Sequence, residues 1–128
     1  MSKIYTGINI QFPISEDILS GKKIIETRTY PIPQKYLQTE LLLIETPGKL
    51  AKFKSRARAI IIFEDCFKYK NKAEFYNDYD QHLVDRNSPW AWKDKPKYGW
   101  RVRVIKLFNN PKPVNKRLGI VYTKEIKI

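Results

Sequence analysis

One stretch near the start of this chain carries most of what its sequence reveals: Ile18-Leu19-Ser20-Gly21-Lys22-Lys23-Ile24-Ile25-Glu26-Thr27-Arg28. Just before it, Ser15 suits a helix N-cap and two acids follow, so residues 15–19 predict one or two helical turns. Gly21 is typical of the position after a helix end. The β-branched pair at 24–25 predicts a strand over 24–28, whose alternation places Glu26 and Arg28 on one face. The stretch thus predicts a helix-to-strand corner that presents a carboxylate beside cations.

Length and composition favour a single domain over residues 1–128. A chain of this length buries roughly two thirds of its surface on folding, so it needs no disulfide or metal to hold a core. Cys66 is the only cysteine and His82 the only histidine, which excludes an internal disulfide and argues against a zinc site. We expect no metal and no cofactor, with Cys66 buried. We expect His82 at the surface or at a helix cap, with a position facing the cleft as the alternative.

The chain carries no signal for a membrane or for export. No apolar run approaches the roughly 20 residues of a membrane helix, and the N-terminus lacks the apolar stretch of a signal peptide. We therefore expect a cytoplasmic monomer without a membrane partner.

The charge is strongly positive and unevenly placed. The formal net charge is +12, and residues 93–128 supply +9 of it with eleven Lys or Arg against two acids. A basic surface of this kind favours phosphate-rich partners, although it can also serve only to keep a protein in solution. The cations form a candidate basic stripe of Arg101, Arg103, Lys106, Lys112, Lys116 and Arg117.

Hydrophobic patterning predicts an α+β protein. Strands are indicated at residues 7–12, 24–28, 41–46, 57–64, 98–104 and 119–126, by alternation or by continuous β-branched runs. Residues 72–83 carry apolar side chains at i, i+4 and i+8, which predicts a second, longer helix. Pro111 and Pro113 suggest a turn. Closing five or six strands into a small barrel, flanked by two or three helices, would remove exposed sheet edges.

The quoted stretch resembles the helix-then-strand pattern G-x-K-x-x-E-x-R of the ASCH family, a branch of the PUA-like β-barrels. A strand at 60–63, a helix near Phe75, and Tyr98-Gly99-Trp100 opening a strand extend the resemblance over residues 8–122. It implies a small barrel with a cleft beside the motif, and a protein that binds RNA or modified nucleotides.

The same resemblance implies two enzymatic alternatives. Some bacterial members are acetylcytidine amidohydrolases, which use a lysine, a threonine and a glutamate, and another member has ribonuclease activity. Lys23 matches the catalytic lysine, but Glu26 stands where those enzymes carry threonine, and Thr27 should face the opposite side of the strand. A catalytic glutamate would have to come from the region of Asp80 or Asp85.

The candidate ligand-binding residues are Lys22, Lys23, Glu26, Arg28, Tyr30, Trp90, Trp92, Arg101 and Arg103, with Lys23 and Glu26 also as candidate catalysts. We expect Arg28 to grip a phosphate with its two-pronged guanidinium, and Glu26 to accept a base or ribose proton. A plainer interpretation is an ion pair that fastens the first helix to the sheet. Trp90 and Trp92 suit either base stacking or a hydrophobic lid, whereas Trp100 fits an inward strand position.

Three hypotheses follow. The first is an ASCH-like domain that binds RNA or a nucleotide, with DNA as an alternative, through the cleft and the basic face. The second is a small hydrolase that acts on a modified nucleoside or on RNA. The third is an accessory protein whose basic face docks an acidic protein.

Overall fold

Six strands and three short helices make up the described part of the chain. The structure is a computed structural model and describes residues 3–114 and 121–128. The elements in chain order are β1 (Ile4–Gln11), α1 (Ile14–Leu19), β2 (Ile25–Arg28), one 3₁₀ turn (Gln34–Tyr36), β3 (Leu41–Thr46), β4 (Arg56–Lys68), α2 (Lys72–Asn77), α3 (Tyr79–His82), β5 (Tyr98–Pro113) and β6 (Tyr122–Lys127). None of these helices is long and apolar enough to cross a membrane.

The strands form one mixed sheet in the order β2-β5-β4-β3-β1-β6. β1 and β3 run parallel, and the other neighbouring pairs are antiparallel. The α+β prediction is confirmed. The expected closure into a barrel is not seen in the described residues, because β2 and β6 remain as two separate edges. The sheet nevertheless curls, so that the Arg28 guanidinium of β2 lies 3.5 Å from the backbone oxygen of Asn9 in β1.

Several predicted boundaries shift. β3 spans the predicted residues, whereas β4 and β5 are longer than predicted. The predicted turn at Pro111 and Pro113 is wrong, because both residues lie within β5. Beyond Val102 no described strand pairs with the outer side of β5, so prolines without an N–H are tolerated there. The final strand begins at Tyr122, and the first part of its predicted range lies outside the described residues.

The helices also differ from prediction. Ser15 is not an N-cap but lies inside α1, where its side chain is fully buried. The helix predicted over 72–83 is divided at Asp78, whose carboxylate accepts a hydrogen bond from the Tyr69 hydroxyl at 2.8 Å. Because Tyr69 precedes α2, this hydrogen bond fixes the junction between α2 and α3.

A core of aliphatic and aromatic side chains packs against one face of the sheet. Trp100 is fully buried there, as its inward strand position predicted, and its indole N–H donates to the Tyr30 carbonyl at 3.2 Å. Ile18 brings α1 into the same cluster. The core thereby packs α1 against β1 and β5.

A buried ionic cluster ties α1 to the middle of the sheet. The fully buried Glu45 carboxylate of β3 accepts hydrogen bonds from Ser15 at 2.6 Å and from Arg56 and Arg58 at 2.8 Å each. Arg58 also pairs with Glu16 at 2.7 Å. Burial alone would raise the pKa of Glu45, but the hydrogen bonds from Ser15, Arg58 and Arg56 outweigh it and lower that pKa.

We expect Glu45→Gln to lower the free energy of unfolding by about 3 kcal/mol, because Arg56 then loses its carboxylate partner and half-buried Arg58 keeps only Glu16. The pKa of Glu45 is lower in the folded protein than its ordinary value near 4.5, so the ionised carboxylate stabilises the fold at any pH above 4.5. This stabilisation is lost as the pH falls below 4.5 and through the folded-state pKa. Urea unfolding from neutral to acid pH should therefore show a shallower acid decline in the variant than in the wild type. Asp65→Asn, which breaks an exposed pair with Arg101, is the control and should cost no more than about 1 kcal/mol. Equal losses in both variants would contradict this account.

Candidate functional site

A cavity of about 290 Å³ opens in the gap between β2 and the end of β1. That volume is close to the lower limit of about 300 Å³ for ligand pockets, so the cavity suits one base or nucleoside and not a folded segment. Its polar lining comprises Asn9, Gln11, Asp17, Lys23, Glu26, Thr27, Arg28, Thr46, His82 and Ser88. Its apolar lining comprises Ile10, Ile14, Leu83, Val84 and Trp90.

Glu26 and Arg28 lie side by side at this cavity, as the strand alternation predicted. The Arg28 Nε and Nη2 donate to Glu26 Oε2 at 3.2 and 3.0 Å, and Nη1 donates to the Tyr30 hydroxyl at 3.1 Å. Burial disfavours the charge on Arg28, but Glu26 and Tyr30 more than offset it and raise the Arg28 pKa. Most of the guanidinium is therefore engaged within the protein, and it fixes the orientation of the Glu26 carboxylate.

Lys23 lies on the other side of the same carboxylate. Its side chain is almost fully buried, its ammonium group donates to the His82 carbonyl, and Nζ lies 3.8 Å from Glu26 Oε1. Burial lowers the pKa of Lys23, while Glu26 and Asp17 oppose that shift. A buried amine with a lowered pKa gives up its proton more readily than a surface lysine.

A second buried lysine adjoins this group and was not identified from the sequence. Lys97 is only 7% exposed, and its ammonium group forms no hydrogen bond or ion pair with the described residues. The pKa of Lys97 is lowered, chiefly by burial and also by repulsion from Lys93, and attraction to the nearby Glu26 offsets only part of this shift. Extending the alternation of residues 98–104 backwards would place Lys97 on the outward, exposed face. β5 begins only at Tyr98, so the alternation does not apply to Lys97 and could not reveal its burial.

His82 is fully buried, which makes the prediction of a surface or cap position wrong. Its Nδ1 accepts from the Val84 N–H at 2.9 Å, so Nε2 carries the proton and donates to the Phe75 carbonyl at 2.6 Å. The ring stacks on Phe75 at 4.2 Å. Burial lowers the pKa of His82 and the Lys23 charge lowers it further, so the ring is neutral near pH 7.

The two loop tryptophans have different surroundings. Trp90 lines the cavity and is 49% exposed. Trp92 packs against Phe75 at 5.6 Å, and its backbone N–H donates to the Tyr76 hydroxyl. Of the two, only Trp90 can contact a molecule in the cavity.

The remaining candidates lie outside the cavity. Lys22 is exposed, and Tyr30 contacts the site only through Arg28. Arg101 pairs with Asp65 at 2.8 Å and Arg103 with Glu64 at 3.5 Å, both across strands β4 and β5. Lys116 and Arg117 of the predicted stripe lie outside the described residues. In the described residues, no group of three or more His, Cys, Asp or Glu side chains could hold a metal ion.

Comparison with solved structures places this fold. The ASCH protein from Zymomonas mobilis matches with a TM-score of 0.68 at 14% sequence identity, over 94% of this chain and 86% of that one. A serine-to-alanine mutant of the same Zymomonas protein matches with a TM-score of 0.67 at 15% identity, over 94% and 87%. The chain therefore has an ASCH-domain fold, as the resemblance implied. No protein-family model matches the sequence, and no curated protein is significantly similar to it.

We expect the ring protons of His82 to titrate below the ordinary pKa of 6.5 in the folded protein, because burial disfavours the charged ring. Because this is the only histidine, its ring signals are isolated in a proton NMR titration. Burying the neutral ring is compatible with full stability of the fold above pH 6.5, the pKa of the unfolded state. Stability is lost as the pH falls below 6.5 and through the lower pKa of the folded state. The denatured protein should titrate near 6.5 as a reference. A folded-state midpoint at or above 6.5 would contradict the buried, neutral assignment.

Proposed function

We propose that this protein binds RNA or a free nucleotide by enclosing one base in the cavity beside Glu26. The observation that supports the proposal best is a buried carboxylate held in one orientation at a cavity of single-base size. The ASCH fold adds support, because that fold is commonly associated with RNA binding.

Glu26 is the residue to which we assign base recognition. Its Oε2 is occupied by Arg28, while Oε1 receives only the Thr27 N–H at 3.3 Å and the distant Lys23 ammonium. A carboxylate oxygen accepts two hydrogen bonds, so Oε1 has room for an N–H of a base edge. In this proposal Arg28 is a positioning residue, because its Nε and Nη2 are used by Glu26 and do not point a free fork at a phosphate.

Trp90 would cover the bound base. Its ring lines the cavity and is half exposed, so it can stack on a base without first leaving a packed core. Stacking on an aromatic side chain contributes about 1–3 kcal/mol per base and tolerates any base. The apolar lining opposite Glu26 favours the same flat ligand.

Glu26→Ala and Arg28→Ala should each keep the fold and lose most of the amide chemical-shift changes that the four ribonucleoside monophosphates induce in the wild type. The first change removes the acceptor, and the second leaves it without a fixed orientation. Glu64→Ala, which removes an exposed carboxylate on β4, is the control and should retain those changes. Wild-type shift changes in both cavity variants would refute the assignment.

Trp90→Ala should weaken nucleotide binding about five- to 150-fold, which corresponds to the loss of one stacked base. Fluorescence titration can follow this, with Trp92→Phe as the control because Trp92 packs on Phe75 outside the cavity. An equal loss in the two variants would mean that the segment is disturbed as a whole.

A second candidate, a hydrolase that acts on a modified nucleoside or on RNA, is favoured by one observation. Lys23 has a lowered pKa and lies 3.8 Å from Glu26 within the cavity, which suits a lysine that takes up a proton during a reaction. Purified protein should then turn over acetylated nucleosides or RNA, at a rate that rises with pH as Lys23 becomes neutral. Glu26→Gln should abolish turnover. Nucleotide binding without turnover of any of these substrates would exclude this candidate.

A further inference from the structure

The charges that line the cavity cancel. Lys23 and Arg28 contribute two positive charges, Asp17 and Glu26 contribute two negative ones, and His82 is neutral. A neutral cavity can hold a base, but it offers little attraction to the phosphates on either side of that base. If a strand of RNA places one base there, its backbone must be held by cations outside the cavity.

The β3–β4 loop, residues 47–55, carries such cations. It contains Lys49, Lys52 and Lys54 and no acidic residue. All three side chains are exposed, and none forms an ion pair or hydrogen bond within the described part of the chain. Their charge is therefore available to a partner.

The loop is fixed against the cavity wall. It begins directly after Thr46, which lines the cavity. Gly48 packs so closely on Gln11, another lining residue, that a Cβ at Gly48 would lie 2.3 Å from the Gln11 amide nitrogen. Phe53 packs edge-on against Phe12 at 5.7 Å. The three lysines are thus presented beside the cavity by a loop that is anchored at both ends.

The predicted basic stripe is a weaker candidate for the same role. Arg101 and Arg103 are each paired with an acid of β4, so their charges are already compensated. The other described members of the stripe, Lys106 and Lys112, lie further along β5. None of these four residues lines the cavity. The lysines of the loop, by contrast, are unpaired within the described residues, and their loop adjoins the cavity at Gln11 and Thr46. A positively charged surface along the backbone is typical of sites that bind single strands.

We infer that the β3–β4 loop is the phosphate-contacting surface for single-stranded RNA, with Lys49, Lys52 and Lys54 each contacting the backbone. The inference rests on the proposed function, because it places the loop beside a base held in the cavity. A single strand is specified because a base must be unpaired to enter the cavity.

The test is the salt dependence of binding to a single-stranded RNA of about 12 nucleotides, a length within the range of known single-strand sites. Each neutralised phosphate contributes about −0.7 to the slope of log affinity against log salt, so combining Lys49→Gln, Lys52→Gln and Lys54→Gln should make the slope shallower by about 2. Replacing Lys68, Lys70 and Lys72 with Gln removes the same charge at the opposite end of β4 and should leave the slope near the wild-type value.

Three results would overturn the inference: an unchanged slope in the loop variant, the same change in both triple variants, or no binding by the wild type at low salt. Trp90→Ala separates the inference from the proposed function. Because stacking is uncharged, this variant should bind the RNA more weakly and keep the wild-type slope. If Trp90→Ala and Glu26→Ala bind as tightly as the wild type while the loop variant loses slope, the cavity proposal fails and the loop assignment stands.

Discussion

The Arg28 guanidinium is the contact on which the site depends. It joins Glu26 on β2 to the Asn9 carbonyl on β1, across the gap where the sheet curls without closing. Backbone hydrogen bonds between β1 and β2 at that position would have closed the gap. The Arg28 side chain bridges it instead and leaves space for a cavity. Because Glu26 is almost fully buried, its ion pair is poorly screened by water and holds the carboxylate in one orientation.

Polar contacts at both ends hold the helix-to-strand corner in place. At the start of α1, Ser15 and Glu16 join the buried cluster around Glu45. After its end, Lys23 reaches the carbonyl of His82. Between them, Ile18 is buried in the core. The corner is therefore fixed by polar contacts at both ends and by apolar packing between them, so Asp17 and Glu26 face a cavity of defined shape.

Sequence patterns predicted what depends on local periodicity. The continuous apolar run of β3 and the shared face of Glu26 and Arg28 follow directly from strand geometry. The burial of His82 and Lys97 does not, because it depends on how the irregular segment between β4 and β5 folds back on itself and against β2. The different surroundings of Trp90 and Trp92 could not be predicted either, since the loop that carries them has no period. The pattern of β5 also could not show that Arg101 and Arg103 are paired, because the acids opposite them belong to another strand.

The connection between β4 and β5 supplies one wall of the cavity, and its attachment has an evolutionary consequence. That wall is tied to the rest of the site through the carbonyl oxygens of Gln81 and His82, which accept from the Ile24 backbone and the Lys23 side chain. Every residue type has such a carbonyl, so the side chains of the wall can change while the attachment persists. The strands β4 and β5 pair without it. Selection can therefore refashion what the cavity admits and leave the scaffold that orients Glu26 intact.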